Sequence, residues 1–524
     1  MEALMRVVVL CILALGVLAS AQADDQPQVE TRYGKLRGKT TSAKGTDRTV
    51  HTFYGVPFAK PPVGSLRFAA PEPPTAWSSV REASDYAKIC LQNVDMLEQI
   101  AKAVKAKLII PPASEDCLYL DIFTPADRVK EKMLPVMVFI HGGGLVMGGS
   151  MMFEGSVLSA YENVVVVSIQ YRLGLLGFMS TGDDKAPGNY GFLDQVQALR
   201  WVQENIADFG GDPNSVTIFG ESAGGLSVSA LVVSPLAKGL FHRAIAESGV
   251  AIMPGLVATS TEEVVFIRNI VANISGCGVD TLLDCLKVKS EEEILSIGAS
   301  MPFMALPASI DGAFFPKPVE QILADKEVNP VPFMTGVNNQ EFGWNLPSSM
   351  NITGIREGME REMVHEILKS FPIMGIFSGA ISLLLDEYVG DETDPAEIRN
   401  RFVDLVGDLV FVIPALRMAK CHRDSGHPTY FYEFQHRPAL FAESKPDFVK
   451  ADHGEELFFV IGGPFLKGDI LFTGDALREW SEVFFIMNPH AVCTFLHVLS
   501  LFSTMTRHHD TGHGCSPFGA QCPV

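Results

Sequence analysis

The stretch Ser215-Val216-Thr217-Ile218-Phe219-Gly220-Glu221-Ser222-Ala223-Gly224-Gly225-Leu226 decides how this chain is read. Its first part is a short β-branched and aromatic run, and from Ala223 onward it reads as a helix. G-x-S-x-G stands at the junction, where a strand turning sharply into a helix makes a nucleophile elbow. Glycines flank the serine because the turn is tight and the backbones of strand and helix come close. The helix N-terminus behind the serine favours negative charge. A small-residue turn without chemistry fits the same five letters, and only the flanks separate the two readings.

The neighbouring segments supply those flanks. Val136 to Ile140 is a continuous apolar run that ends in His141-Gly142-Gly143-Gly144. Consecutive glycines let peptide N–H groups turn toward an oxyanion, and the N–H of Ala223 would add a further donor. Val164 to Tyr171 is a second strand. Val196, Leu199, Val202, Ile206 and Phe209 recur at helical spacing between Asp194 and Phe209, and Gly210-Gly211 ends that helix. Further strands are expected at Arg243–Glu247, at 332–337 and at 429–435, with mainly helical insertions at 255–325 and 345–425. Strand and helix in alternation predict an α/β architecture with a mostly parallel sheet, in one large domain.

Composition agrees. With 47% hydrophobic and 19% charged residues the chain has ample core-forming material. Its formal net charge is −20, which would repel phosphate backbones and anionic lipid, so nucleic acid is excluded as a partner.

A serine hydroxyl needs a base and an orienting carboxylate, and in such folds the chain order is Ser, then Asp or Glu, then His. Glu341 follows the strand expected to end at Val337, although an ordinary solvated loop glutamate reads the same way. His453, in Lys450-Ala451-Asp452-His453-Gly454-Glu455-Glu456, lies in a loop after a later strand. On spacing alone His242, His365, His422, His427 and His436 compete with it.

The N-terminus reads as a cleavable leader over residues 1–23. Arg6 precedes an apolar run from Val7 to Ala19, and Ala21-Gln22-Ala23 gives a small-x-small cleavage pattern. The run is shorter than the about 20 residues a membrane anchor needs. Phe371 to Leu385 is also mostly apolar, but Pro372, Ser378 and Ser382 interrupt it, as in a buried helix or pocket wall. A secretory-pathway destination follows, either secreted or in the ER lumen. Nine cysteines, with Cys11 in the leader, are too sparse to replace a core and act as local staples. Cys90 with Cys117 and Cys277 with Cys285 are close in sequence. Asn273-Ile274-Ser275 and Asn351-Ile352-Thr353 are glycosylation sequons.

Several stretches together resemble the type-B carboxylesterase family, specifically the vertebrate carboxylesterases of liver and intestine. They are Tyr54-Gly55-Val56-Pro57-Phe58-Ala59, Ser114-Glu115-Asp116-Cys117-Leu118-Tyr119-Leu120, the HGGG loop, Asp208-Phe209-Gly210-Gly211-Asp212-Pro213, the elbow, and the segments around Glu341 and His453. The resemblance runs from about residue 27 to about 466. It implies an α/β-hydrolase fold over 24–466 and a Ser-His-Glu triad: Ser222 as nucleophile, His453 as general base and then acid, and Glu341 as its ionised orienting carboxylate. It further implies oxyanion donors at Gly143, Gly144 and Ala223, disulfides Cys90–Cys117 and Cys277–Cys285, a small-molecule ester substrate, and no metal or organic cofactor. The wording around 331–344 and 430–436 is most similar to the intestinal branch, carboxylesterase 2, which prefers large alcohol and small acyl groups.

From Lys467 to Val524 the resemblance stops, and the chain ends without a KDEL-like retrieval signal. His508, His509, His513 and Cys515 match no standard zinc spacing. The alternative function is a catalytically impaired, esterase-like binding protein, disabled by this divergent tail. A cholinesterase is disfavoured because no Trp, Tyr or Phe stands between Cys90 and Cys117 to bind a quaternary ammonium. A triacylglycerol lipase would show activation at an oil–water interface.

Overall fold

The computed structural model describes residues 26–467 apart from 104–108, 129–131, 302–305, 371–378 and 442–443. The expected leader, the tail beyond Lys467 and the first part of the apolar stretch from Phe371 lie outside these residues.

Nine strands form the central sheet: β1 (Lys39–Ser42), β2 (Thr49–Pro57), β3 (Tyr119–Pro125), β4 (Leu134–Ile140), β5 (Val165–Ile169), β6 (Gly211–Glu221), β7 (Arg243–Glu247), β8 (Phe333–Asn338) and β9 (Thr429–Phe434). Their spatial order is β1-β2-β3-β5-β4-β6-β7-β8-β9. The six strands from β4 to β9 pair in parallel, whereas β1, β2 and β3 add an antiparallel flank. That flank was not expected from the sequence.

Every residue of β5 is buried, because helices cover the sheet on both sides and leave neither face to water. Alternation along the strands divides the core in two. Val165, Val167, Ile169, Val138 and Ile218 face one layer, with Trp201 and Phe209. Val164, Val166, Phe139 and Phe219 face the other, where Phe139 stacks on Phe153 at 4.3 Å between ring centroids. Helix α1 (Ser156–Glu162) covers the second layer, and helices α2 (Tyr190–Asn205) and α3 (Ala223–Val233) cover the first. All of α3 is buried, so it has no polar face and its small residues let it lie close on β6 and β7.

The two insertions are helical. Between β7 and β8 come Thr261–Ser275, Leu282–Lys287, Glu291–Ala299 and Val319–Ala324. Between β8 and β9 come α4 (Asn345–Ser349), Arg361–Ser370, Ile381–Tyr388, α5 (Pro395–Gly407), a π-helical turn over Asp408–Val412, and α6 (Ile413–Asp424). Both expected disulfides are present, Cys90–Cys117 and Cys277–Cys285. Buried Arg67 braces the two loops they close. It pairs with Glu115 inside the first and donates to the carbonyl of Leu286 (3.0 Å), beside the second.

Strand order reverses at β4, which lies between β5 and β6. In open α/β sheets the crevice outside the carboxyl ends of the strands at such a reversal is where ligands bind. The HGGG turn follows β4, Ser222 follows β6, Glu341 follows β8 and His453 follows β9, so one sheet edge gathers all four.

Candidate active site

The turn at Ser222 explains the glycines around it. Ser222 has φ 58° and ψ −123°, which lifts it out of β6 and makes it the cap of α3. A Cβ on Gly220 would lie 2.3 Å from the carbonyl oxygen of Ile140, and one on Gly224 would lie 2.1 Å from the same atom. Both positions must be glycine for β4 and α3 to approach. The N–H of Ser222 donates to the carbonyl of Glu247 at 2.8 Å, tying the elbow to the end of β7.

His453 reaches Ser222 from the far side of the crevice. Its Nε2 is 2.9 Å from Ser222 Oγ, and its Nδ1 is 2.7 Å from Glu341 Oε2. The other oxygen of Glu341 accepts the N–H of Asn338 at 2.7 Å, which fixes the carboxylate plane. This network assigns the proton of neutral His453 to Nδ1, donating to Glu341, and leaves Nε2 to accept from the serine. The rivals fall elsewhere. His422 is buried and bonded to the carbonyl of Val331 (2.9 Å), and His242 Nδ1 accepts the N–H of Val216 (3.2 Å). His365 pairs with Glu366, His427 lies tilted against His422, and His436 packs on Phe434 and Phe459.

The HGGG turn lies against the nucleophile: a Cβ on Gly142 would be 3.2 Å from Ser222 Cβ. Gly143 and Gly144 have φ of 99° and 62°, and Ala223 is the first residue of α3. His141 itself is structural. Its ring stacks on Tyr171 at 4.4 Å, and burial pushes its pKa down to about 4, so it stays neutral.

Several site residues were not anticipated. Glu221 Oε1 is 3.2 Å from His453 Nε2, close enough to stabilise positive charge on the imidazole. Glu247 and Glu456 are buried behind it, and Ser248 Oγ (3.3 Å) and Asn338 Nδ2 (2.5 Å) donate to Glu456. Burial raises Glu221 to about 7 and Glu247 to about 8; burial and the neighbouring glutamates hold Glu456 well above the usual carboxylate range. Burial would lower His453, but Glu221 and Glu341 beside it outweigh burial and push it up. Glu221 and Glu341 together therefore favour the charged imidazolium of His453, the form it takes as it accepts the serine proton. Phe411, within the π turn, packs its ring 4.7 Å from the imidazole. A Cβ on Gly407, at the end of α5, would be 3.8 Å from Glu341 Cβ. The end of α5 thus backs Glu341 and the π turn backs His453.

A strand–elbow–helix serine, a histidine from the loop after the last strand and a glutamate between them is the layout the sequence resemblance implied. Comparison with known proteins decides the family, because the carboxylesterase family profile matches residues 25–483. The chain belongs to the carboxylesterase family. The liver carboxylesterase of Sus scrofa is 48% identical over 92% of this chain and 89% of that protein. The medium-chain fatty acyl-CoA hydrolase precursor of Anas platyrhynchos is 48% identical over 87% and 84%, and the cocaine esterase of Homo sapiens 48% over 87% and 82%. Equal identity to liver carboxylesterase and cocaine esterase does not favour the intestinal branch over the others. Among the described residues of this carboxylesterase no helix is long and apolar enough to cross a membrane.

Proposed function

We propose that this carboxylesterase hydrolyses small-molecule carboxylic esters through an acyl intermediate on Ser222, with His453 and Glu341 completing the triad. The observation that carries the reading is the unbroken relay from Ser222 Oγ through His453 to Glu341, with bonds of 2.9 and 2.7 Å at a strained elbow. Ser222 Oγ attacks the ester carbonyl as Nε2 takes its proton. Glu341 steadies the imidazolium, and Nε2–H then protonates the departing alcohol. Water then attacks the acyl carbon as Nε2 takes its proton, the acyl–Oγ bond breaks, and Nε2–H returns the proton to Ser222 Oγ as the acid leaves. The N–H groups of Gly143, Gly144 and Ala223 are proposed to hold the tetrahedral oxyanion, each worth about 3 kcal/mol to the transition state. A thioester acylates serine by the same step, so acyl thioesters are second candidates.

The catalytic domain is assigned to 24–466, preceded by the leader and followed by the 467–524 tail. We place the protein in the secretory pathway with glycans on Asn273 and Asn351, both exposed. A glycosidase that removes N-linked glycans should increase its mobility, and neither sequon is used if it does not. The impaired-binding-protein alternative finds no support in a triad with all members in bonding contact. Hydrolysis of p-nitrophenyl acetate by purified protein beside Ser222→Ala tests the proposal. Turnover in the parent and its loss in a folded variant is expected. A folded parent without turnover restores the alternative.

A further inference from the structure

The ring bonds of His453 do not explain how its loop keeps register with the loop that carries Glu341. The ties lie one residue upstream. Asp452 is fully buried, and its carboxylate accepts four hydrogen bonds. Oδ1 takes the N–H of His453 (2.9 Å) and of Trp344 (3.2 Å); Oδ2 takes the N–H of Asn345 and the ammonium of Lys445, both at 2.8 Å. Trp344 and Asn345 open α4, just beyond Glu341. Asn338 Nδ2 donates to the carbonyl of Asp452 (2.6 Å), the N–H of Gln340 to that of Ala451 (3.0 Å), and Asn345 Nδ2 to that of His453 (3.2 Å). Lys445 is buried too, and bridges Asp452 to Glu455 Oε1 at 2.5 Å. Glu455 returns a bond by accepting the N–H of Asp452 (3.0 Å).

Ionic groups this deep are costly to desolvate, and apolar side chains of the same size often give equal or greater stability. What an apolar cluster could not do is accept N–H groups from two loops at once. Two donors to Asp452 belong to the segment after Glu341, and a third is His453 itself. We propose that Asp452, with Lys445 as its counter-ion, is a positioning residue: a clasp that seats the His453 loop on the Glu341 loop and aligns the imidazole between Glu341 and Ser222. The proposal rests on the triad reading above, and Asp452 touches no reacting atom.

Asp452→Asn keeps the volume but replaces one acceptor oxygen with an NH2. That group must face either the loop N–H donors or the Lys445 ammonium, so at least one tie is lost. Since a displacement of about 1 Å costs on the order of 100-fold, kcat on p-nitrophenyl butyrate should fall about 30- to 100-fold with KM within about threefold. A double-mutant cycle with Glu341→Gln separates positioning from general support. If the clasp acts by aligning the imidazole on Glu341, the loss shrinks to under about threefold once that partner is gone. An equal loss in both backgrounds overturns the clasp, as does parental kcat in folded Asp452→Asn. If Asp452→Asn does not fold, Lys445→Met removes the counter-ion of the clasp while Asp452 keeps its three N–H ties. It should lower kcat about threefold in the parent and leave Glu341→Gln unchanged, and parental kcat would overturn the clasp. Turnover by Ser222→Ala would sink the triad reading instead; a dead Ser222→Ala beside unimpaired Asp452→Asn sinks only the clasp.

Discussion

At the scale of single residues the elbow is governed by one carbonyl. The oxygen of Ile140 lies 2.1 Å from where a Gly224 side chain would begin, and backbone on both sides gives no room to move. Gly224→Ala should therefore cost more than about 3 kcal/mol in chemical denaturation and abolish activity with it. Gly298, inside the helix Glu291–Ala299, meets nothing within 4 Å, so Gly298→Ala should raise stability by about 0.5–1 kcal/mol instead. Glu221 makes a different kind of test. Its carboxylate helps hold the imidazole's affinity for protons up, so Glu221→Gln should move the acid limb of kcat/KM toward lower pH. An unmoved limb would show that Glu341 alone sets it. The role of Glu221 was hidden by its setting inside the G-x-S-x-G motif, where x carries no expectation. Glu247 and Glu456 were hidden because burial of a carboxylate is decided by elements far away in the chain.

At the scale of elements the central parallel strands were readable because Val136 to Ile140 and Val164 to Val167 are continuous apolar runs. Arg243–Glu247 has the limits expected, and the helix from Ala223 begins where the elbow said it must. The antiparallel flank was missed for the converse reason. Thr49–Pro57 carries threonine, histidine and glycine among its apolar residues, so although both faces are buried no continuous apolar run marks it. The π turn between α5 and α6 leaves no mark in a sequence, since one extra residue in a helical repeat shifts the stripe without breaking it. Its position is nonetheless functional. Phe411→Ala would open a void against His453, costing about 3–5 kcal/mol of stability, and should lower kcat more than it raises KM. Unchanged kcat in the folded variant would make Phe411 a packing residue only.

At the scale of the whole molecule the buried glutamates couple folding to pH. Glu221 and Glu247 titrate near 7 and 8 in the folded chain, against an ordinary 4.5. The folded state keeps protons that the unfolded state releases, so their contribution is complete below about pH 4.5 and is lost as pH rises through 7 and 8. The unfolding midpoint should fall across that window, and Glu247→Gln, neutral at every pH, should flatten the slope. The order of the three triad residues has a consequence for synthesis. Ser222 and His453 are 231 positions apart, with Glu341 standing 112 before the histidine. At about 5–20 residues per second, roughly ten to fifty seconds separate the emergence of the serine from that of its base. Through that interval the growing polypeptide carries an ordinary alcohol at its elbow. Esters and acylating agents that meet the nascent chain cannot mark it, and susceptibility to such covalent labels becomes a stamp of completed folding.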